Sequence, residues 1–259
     1  MTGARPGRAP AARSLGRSAM PTRLFSRPSS EPRGRAALCV GRAVVSILAV
    51  GVWAVAAAVP SLDEAVRSLE GAYEKVTDLK APFRQSSFNR TMNQTVEAAG
   101  TLYLKKPGKL RWEYVTPTPQ EIVSDAKRLW VYTPELKQVN VTDAPEALAG
   151  PAGTFLQGLG QLRELFYARF LNPARPTDAD GHVVLDLTPR EPRPLLARLV
   201  VTVDPTTWLV RTAVVHDELG NTVTVRFGTV TVNAGLPDSL FTFVPPAGVT
   251  VVPAPGLKP

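Results

Sequence analysis

The chain has 259 residues and a formal net charge of +8, an excess that usually indicates nucleic acid or an anionic membrane as partner. Nine arginines and one acid lie within residues 1–42, whereas residues 43–259 contain 21 basic and 21 acidic side chains, which argues against a nucleic-acid-binding domain. The single cysteine, Cys39, and the two histidines, His182 and His216, exclude disulfides and a multi-histidine metal cluster.

Residues 1–58 are predicted to be an Arg-rich lead followed by a secretory signal. An uncharged apolar run extends from Ala43 to Val59, and it contains small residues at Ala56–Ala58 that fit cleavage near Ala58. Two alternatives stay open: an uncleaved inner-membrane anchor, and a start at Met20 instead of Met1. In either case the chain is expected to be exported.

Cys39 is not expected to carry a lipid anchor. Lipid modification needs a cysteine at the end of the apolar run, after small residues, whereas Cys39 precedes the run and follows Leu38. The mature protein, residues 59–259, is therefore predicted to be a cysteine-free single domain that ends in a Pro-rich tail.

Residues 61–79 form the clearest predicted helix. Ser61 and Glu64 have the spacing of a capping box, and Pro82 is expected to stop the helix. Apolar residues at three- and four-residue intervals make one stripe that needs an apolar layer beneath it. The stripe consists of Leu62, Ala65, Val66, Leu69, Ala72, Tyr73, Val76 and Leu79.

The rest of the chain is predicted to be mainly strands, in two meanders separated by a Gly- and Ala-rich segment that becomes helical at 161–171. This order indicates an α+β fold with one large antiparallel sheet that carries helices on a single face. A strongly curved sheet of this kind encloses an apolar volume, either packed core or ligand cavity. The predicted strands are 83–89, 95–106, 109–115, 120–125, 128–133, 136–142, 182–188, 195–203, 207–216, 222–232 and 240–244.

Aromatic and aliphatic residues recur on alternate positions of the first meander. One face is predicted to carry Leu110, Trp112 and Tyr114, with Arg111 opposite, and a later strand carries Trp130 and Tyr132 together. Such a face can fill a core or line a lipid cavity. Between the meanders, Phe155, Leu156 and Leu159 lie among glycines, which fits either a movable lid or a floppy loop.

No motif for catalysis is found. The sequence has no nucleophile elbow, phosphate loop, dinucleotide fingerprint or HExxH, and His182 and His216 are interpreted as turn residues. The protein is therefore not expected to be an enzyme, and no cofactor or metal is expected.

Several blocks of the chain resemble LolA, the periplasmic outer-membrane lipoprotein carrier family. The most specific is K-x-P-x-x-x-x-W-x-Y at 105–114, followed by S-D-x-x-x-L-W-x-Y at 124–132. Phe83-Arg84-Gln85-Ser86 and the F-V-P-P-A-G block at 243–248 add to them. The resemblance covers about residues 61–252.

The resemblance implies an unclosed antiparallel β-barrel, a half-barrel, with a helical lid over a hydrophobic cavity. It also implies a monomeric periplasmic chaperone that takes acylated lipoproteins from an inner-membrane ABC transporter to an outer-membrane acceptor. The implied cavity residues are Phe83, Leu102, Leu104, Leu110, Trp112, Tyr114, Trp130 and Tyr132, and the implied lid residues are Leu69, Tyr73, Phe155, Leu156 and Leu159.

The family resemblance also implies a basic lid latch, usually Arg, just before the proline of the first hairpin. Lys106 stands there, and Arg111 is a second candidate, although strand alternation places Arg111 opposite Leu110 and Trp112. Two other functions remain as alternatives: an envelope-stress sensor or regulatory lipid-binding module of similar fold, and the lipid-anchored outer-membrane acceptor of the same pathway.

Overall fold

The computed structural model describes residues 60–144, 160–192 and 196–254. Its first element is helix α1, Leu62–Glu74, which begins with the expected capping box: Ser61 N donates to Glu64 Oε2 at 2.8 Å, and Glu64 N donates to Ser61 Oγ at 3.3 Å. The apolar stripe of α1 is buried at Ala65, Val66, Leu69 and Tyr73. None of the helices in this described part of the chain is long and apolar enough to cross a membrane.

The helix ends five residues before the predicted boundary, because residues that are distant in the sequence form hydrogen bonds with the segment that follows it. Thr77 N and Oγ1 donate to Asn233 Oδ1 at 2.8 and 2.9 Å, and Asn233 Nδ2 donates to Lys75 O at 3.1 Å. The buried Asp78 carboxylate accepts from Ala234 N and Gly235 N. Leu79 therefore enters the core from a strand, and Pro82 lies inside that strand.

Thirteen strands are present in the described residues, and most match the predicted ones closely. The strands are β1 (Asp78–Asn89), β2 (Gln94–Lys105), β3 (Lys109–Thr116), β4 (Gln120–Asp125), β5 (Arg128–Thr133), β6 (Gln138–Asp143), β7 (Phe166–Phe170), β8 (Val183–Pro189), β9 (Arg198–Val203), β10 (Val210–His216), β11 (Thr222–Phe227), β12 (Thr231–Val232) and β13 (Thr250–Pro253).

These strands make one sheet in the order β13-β6-β5-β4-β3-β2-β1-β11-β10-β9-β8-β7, with β12 paired to β1. All pairs are antiparallel except β13 with β6. Within the described residues the two end strands, β13 and β7, do not pair, so the curved sheet is unclosed. The expected α+β half-barrel fold is confirmed.

Two apolar clusters lie on the face of the sheet that carries α1, called the inner face below. One joins α1 to β7–β10 and the start of β1, and the other surrounds Phe83 and Trp112. Leu104 and Phe227 pack against both clusters, so the apolar material is continuous along the inner face.

Two predicted elements are wrong. Residues 161–171 contain only a short helix α2, Leu162–Leu165, before β7, because Phe166, Ala168 and Phe170 alternate with exposed residues and pair with β8. Residues 240–244 are not a strand: a 3₁₀ turn spans Asp238–Phe241, and the last strand, β13, lies in the predicted Pro-rich tail.

Gly100 lets the inner face pack closely where β1, β2 and β3 meet. A Cβ at this position would lie 1.7 Å from Glu113 O and 3.0 Å from Cε1 of Phe83. The register shifts between Ala99 and Gly100, and Gly100 is paired with Phe83 on one side and Tyr114 on the other. The missing side chain gives the Phe83 ring its space.

We expect Gly100→Ala to lower the free energy of unfolding by about 2 kcal/mol or more, because the added methyl group forces the backbone of β2 and β3 apart. Gly71→Ala is the matched control: Gly71 lies in α1 with nothing within 4 Å of the added Cβ, so it should stabilise the protein by about 0.5–1 kcal/mol. Chemical denaturation measures both, and a neutral Gly100→Ala would contradict the packing described here.

Candidate functional site

A pocket of about 390 Å³ opens between the end of α1 and the β2–β3 hairpin. The loop after α1 contributes Val76 and Thr77, the hairpin contributes Leu104, Lys106 and Leu110, and Gly160 and Gln161 complete the wall. Its lining combines apolar side chains with charged ones, among them the lysines of the hairpin. The pocket therefore has the composition expected for a ligand with an apolar part and a polar end.

Six of the eight predicted cavity residues share the inner face. The register pairs Phe83 with Gly100, Leu102 with Trp112, and Leu104 with Leu110, and Tyr114 follows Trp112 by two residues. Leu104 and Leu110 line the pocket itself. The face continues onto β4 and β5 through Ile122 and Val131, which oppose each other. The apolar lining of the pocket is thus continuous with a longer apolar layer whose central residues are buried.

Three aromatic rings make the centre of this surface. The centroid of Phe83 lies 5.2 Å from Trp112 and 5.2 Å from Tyr114, both edge to face, and the Trp112 and Tyr114 rings are nearly parallel at 6.2 Å. Tyr114 Oη donates to Gln85 Oε1 at 3.1 Å, and burial raises the pKa of Tyr114 to about 12. The phenol is therefore neutral and its proton is already engaged.

The indole N–H of Trp112 lacks a hydrogen-bond partner among the described residues, and Trp112 is buried, with only 5% of its surface exposed. A buried donor without an acceptor costs about 1–3 kcal/mol relative to a satisfied one. Phe at this position would fill much of the same space without that cost. Trp112 consequently carries a polar atom that packing does not explain.

Trp130 and Tyr132 do not belong to this surface, and their prediction as cavity residues alongside Trp112 is wrong. Trp130 pairs with Val123 and Val141, which lie on the outer face together with Arg111. The corresponding inner positions of β5 are Leu129 and Val131. The sequence shows two aromatic residues at alternate positions, but only the pairing register determines which face they occupy.

The outer face of β3–β5 is covered by the segment 236–243, which the sequence analysis did not identify as packing material. Phe243 lies 6.2 Å from Trp130 and 5.5 Å from Tyr132, centroid to centroid, and Phe241 is 1% exposed. The alternation of Phe241 and Phe243 is the signal in the sequence that could have indicated it. This outer packing explains why Trp130 and Tyr132 are present.

Arg111 also lies on the outer face and makes no contact with α1 among those described. It pairs with Glu113 and with Glu121 at 2.7 Å, and its Nη1 donates to Leu240 O at 3.3 Å. It therefore fixes segment 236–243 instead of serving as a latch for a lid.

Lys106, the other candidate for the latch, is bonded to the end of α1. Its Nζ donates to Tyr73 O at 2.6 Å and to Glu74 O at 3.2 Å, the last carbonyls of α1. A cation at this end of a helix satisfies carbonyls that lack an intrahelical partner. Leu69 and Tyr73, two predicted lid residues, are buried on the same helix, whereas Phe155, Leu156 and Leu159 lie outside the described residues.

The two neighbouring lysines share one carboxylate. Asp238 accepts from Lys105 at 2.6 Å and from Lys109 at 2.9 Å, and these bonds lower its pKa to about 2. Because the pKa is lowered in the folded state, the contribution of this pairing to stability is present above the ordinary value of 3.8 and is lost as the pH falls through about 2. The pairing is thus intact at neutral pH.

One group of possible metal ligands occurs in the turn before β8. Asp178, Asp180 and His182 bring ligand atoms within 4.8 Å of one another. Asp178 Oδ1 accepts from the backbone amides of Asp180 and His182 at 3.0 and 2.9 Å, so the turn itself accounts for the arrangement.

We expect Lys106→Met to lower the free energy of opening of the last turn of α1 by about 1 kcal/mol, because two carbonyls lose a charged donor. Amide hydrogen exchange of residues 70–76 measures this opening. Lys106→Arg should retain the protection, and Lys109→Met, on the same hairpin but bonded to Asp238, should leave it unchanged. Equal exchange in the Lys106→Met and Lys109→Met variants would show that Lys106 does not hold the helix.

Known proteins resemble this chain over most of its described length. A family model described as outer membrane lipoprotein carrier protein LolA matches residues 74–244. The outer-membrane lipoprotein carrier protein of Dechloromonas aromatica is 32% identical over 188 residues, which cover 73% of this chain and 87% of that protein. The protein of the same name from Alkalilimnicola ehrlichii is 32% identical over 71% of this chain and 81% of its own length.

Among solved structures, an uncharacterized conserved protein from Thermus thermophilus aligns with a TM-score of 0.49 at 13% identity, over 75% of this chain and all of that one. A LolA superfamily protein from Nitrosomonas europaea aligns with a TM-score of 0.42 at 12% identity, over 71% and 99% of the two chains. The family match extends from the end of α1 through β12 to the segment that packs on Trp130. The chain belongs to the outer membrane lipoprotein carrier family, LolA.

Proposed function

We propose that this protein carries lipoproteins through the periplasm by holding their acyl chains against the inner face of the sheet. It receives acylated lipoproteins released by an inner-membrane ABC transporter and delivers them to an outer-membrane acceptor. The relatives named as lipoprotein carriers support the carrier role, and the Arg-rich lead with its apolar run supports export.

The observation that carries the proposal is the continuity of the pocket with the inner apolar face. A pocket of about 390 Å³ falls within the range of about 300–1,000 Å³ that is usual for small-molecule sites. Each methylene group removed from water contributes about 0.8 kcal/mol, so a long acyl chain gains several kcal/mol from an apolar enclosure.

Release of such a cargo needs no covalent step. Lys106 supplies the hydrogen bonds described between α1 and the hairpin, whereas elsewhere α1 is held by apolar packing and by polar contacts of Asp63 and Glu70 with Arg163. A partner that binds better to a form in which α1 and the hairpin are further apart needs only a small free-energy difference to promote release of the acyl chain. A carrier role therefore agrees with the absence of catalytic motifs from the sequence.

The direct test is competition for a fluorescent acyl probe bound to the purified protein. An acylated lipoprotein should displace the probe, and the same lipoprotein without its acyl chains should not. Failure of the probe to bind, or equal displacement by both forms, would contradict a cavity that takes acyl chains.

We expect Leu104→Asp to weaken probe binding at least tenfold, because it places a charge in the apolar wall of the pocket. Leu136→Asp is the matched control, since Leu136 is 71% exposed and lies away from the pocket. Fluorescence titration gives the affinities, and circular dichroism reports whether each variant is folded. Leu104→Trp, which fills the pocket with apolar atoms, should weaken binding without introducing a charge. Unchanged affinity in both Leu104 variants would place the acyl chain elsewhere.

A further inference from the structure

Trp112 carries a hydrogen-bond donor on the inner face that the protein itself does not use. Two polar side chains near Trp112 on this face are engaged: Tyr114 Oη donates to Gln85 Oε1, and Ser124 Oγ donates to Gly108 O and accepts from Ala126 N. Trp112 Nε1 has no such partner in the described part of the chain. An apolar surface with one free N–H is suited to a ligand that is apolar except for one acceptor.

The position of Trp112 relates this donor to the pocket. Leu104 and Leu110 form the residue pair that lines the pocket, and Leu102 with Trp112 is the next pair along the same face. Two residues along a strand span about 7 Å. A ligand that extends from the pocket along the inner face therefore passes Trp112.

We propose that the indole N–H of Trp112 donates a hydrogen bond to the carbonyl oxygen of a bound acyl group. This inference rests on the proposed function and deepens it: the site recognises the ester or amide carbonyl by which a fatty chain is attached, in addition to the hydrocarbon. The apolar neighbours Leu102, Leu110 and Ile122 are held by packing, so a chain can move between them without breaking hydrogen bonds.

A carbonyl is the acceptor that fits this donor. Ester and amide carbonyl oxygens accept strongly from N–H groups, whereas an ether oxygen is a weaker acceptor and an alkane is none. Because Trp112 is shielded from water, a bond made there has little solvent competition. The bond is reversible and involves no proton transfer, which agrees with a cargo that must later leave.

The test compares three fluorescent probes of equal chain length, an acyl ester, an acyl amide and an alkyl ether, with the full-length protein and Trp112→Phe. The wild-type protein should bind the ester or the amide about five- to tenfold more tightly than the ether. Trp112→Phe should remove this preference and leave ether binding nearly unchanged. If Trp112→Phe weakens binding of the ester probe alone, or of the amide probe alone, that probe identifies which linkage is recognised.

Trp130→Phe is the matched control, because Trp130 packs against Phe243 on the outer face and should retain the preference. Equal weakening of all three probes by Trp112→Phe would show that the indole only packs, and equal binding of the three by the wild-type protein would also overturn the inference. Absence of binding by every probe to the wild-type protein is a different result, since it contradicts the proposed carrier function itself.

Indole NMR tests the same bond without relying on the folding of the Trp112 variant. The chain has four tryptophans, and Trp53→Phe, Trp130→Phe and Trp208→Phe assign the fourth ¹⁵N-indole signal to Trp112. This signal should shift downfield with the carbonyl probe that binds more tightly and remain near its ligand-free position with the ether. The same shift with all three probes would contradict a bond to the carbonyl.

Discussion

The pairing register of β1–β5 is the constraint on which the rest of the molecule depends. Side chains alternate between faces along each strand, so a single register decides that Phe83, Leu102 and Trp112 meet on one side. The same register sends Val123 and Trp130 to the other side. On one side α1 packs at the start of β1 near Leu79, and on the other segment 236–243 packs on Trp130, so a shift by one residue would exchange the contents of the two layers.

Local chemistry made much of this structure predictable from the sequence. Ser61 and Glu64 start α1 through contacts three residues apart, and β3, β4 and β5 are bounded by turn residues in the sequence itself. Alternation along β3 placed Leu110, Trp112 and Tyr114 on a common face. Each of these features depends on residues that are near one another in the chain.

The wrong predictions share the opposite property, dependence on residues far away in the chain. The end of α1 is set where Thr77 and Asp78 bond to Asn233 and Ala234, which lie more than 150 residues further along the chain. Segment 161–171 has helix-forming composition, yet pairing with β8 makes Phe166–Phe170 a strand. Trp130 and Tyr132 were assigned to the wrong face because alternation within β5 does not reveal its register with β4. Phe241 and Phe243 were overlooked as their covering for the same reason.

The open edges of the sheet have a mechanical consequence for a protein that encloses a ligand. In a closed sheet, the number of strands and their stagger fix the radius through a continuous ring of hydrogen bonds. Here β13 and β7 end the sheet without joining, so no such ring sets the distance across the interior. The enclosed volume is instead determined by side-chain packing, including that of α1. A single unclosed sheet can therefore change the width of its interior to fit ligands of different volume while every strand pair remains intact.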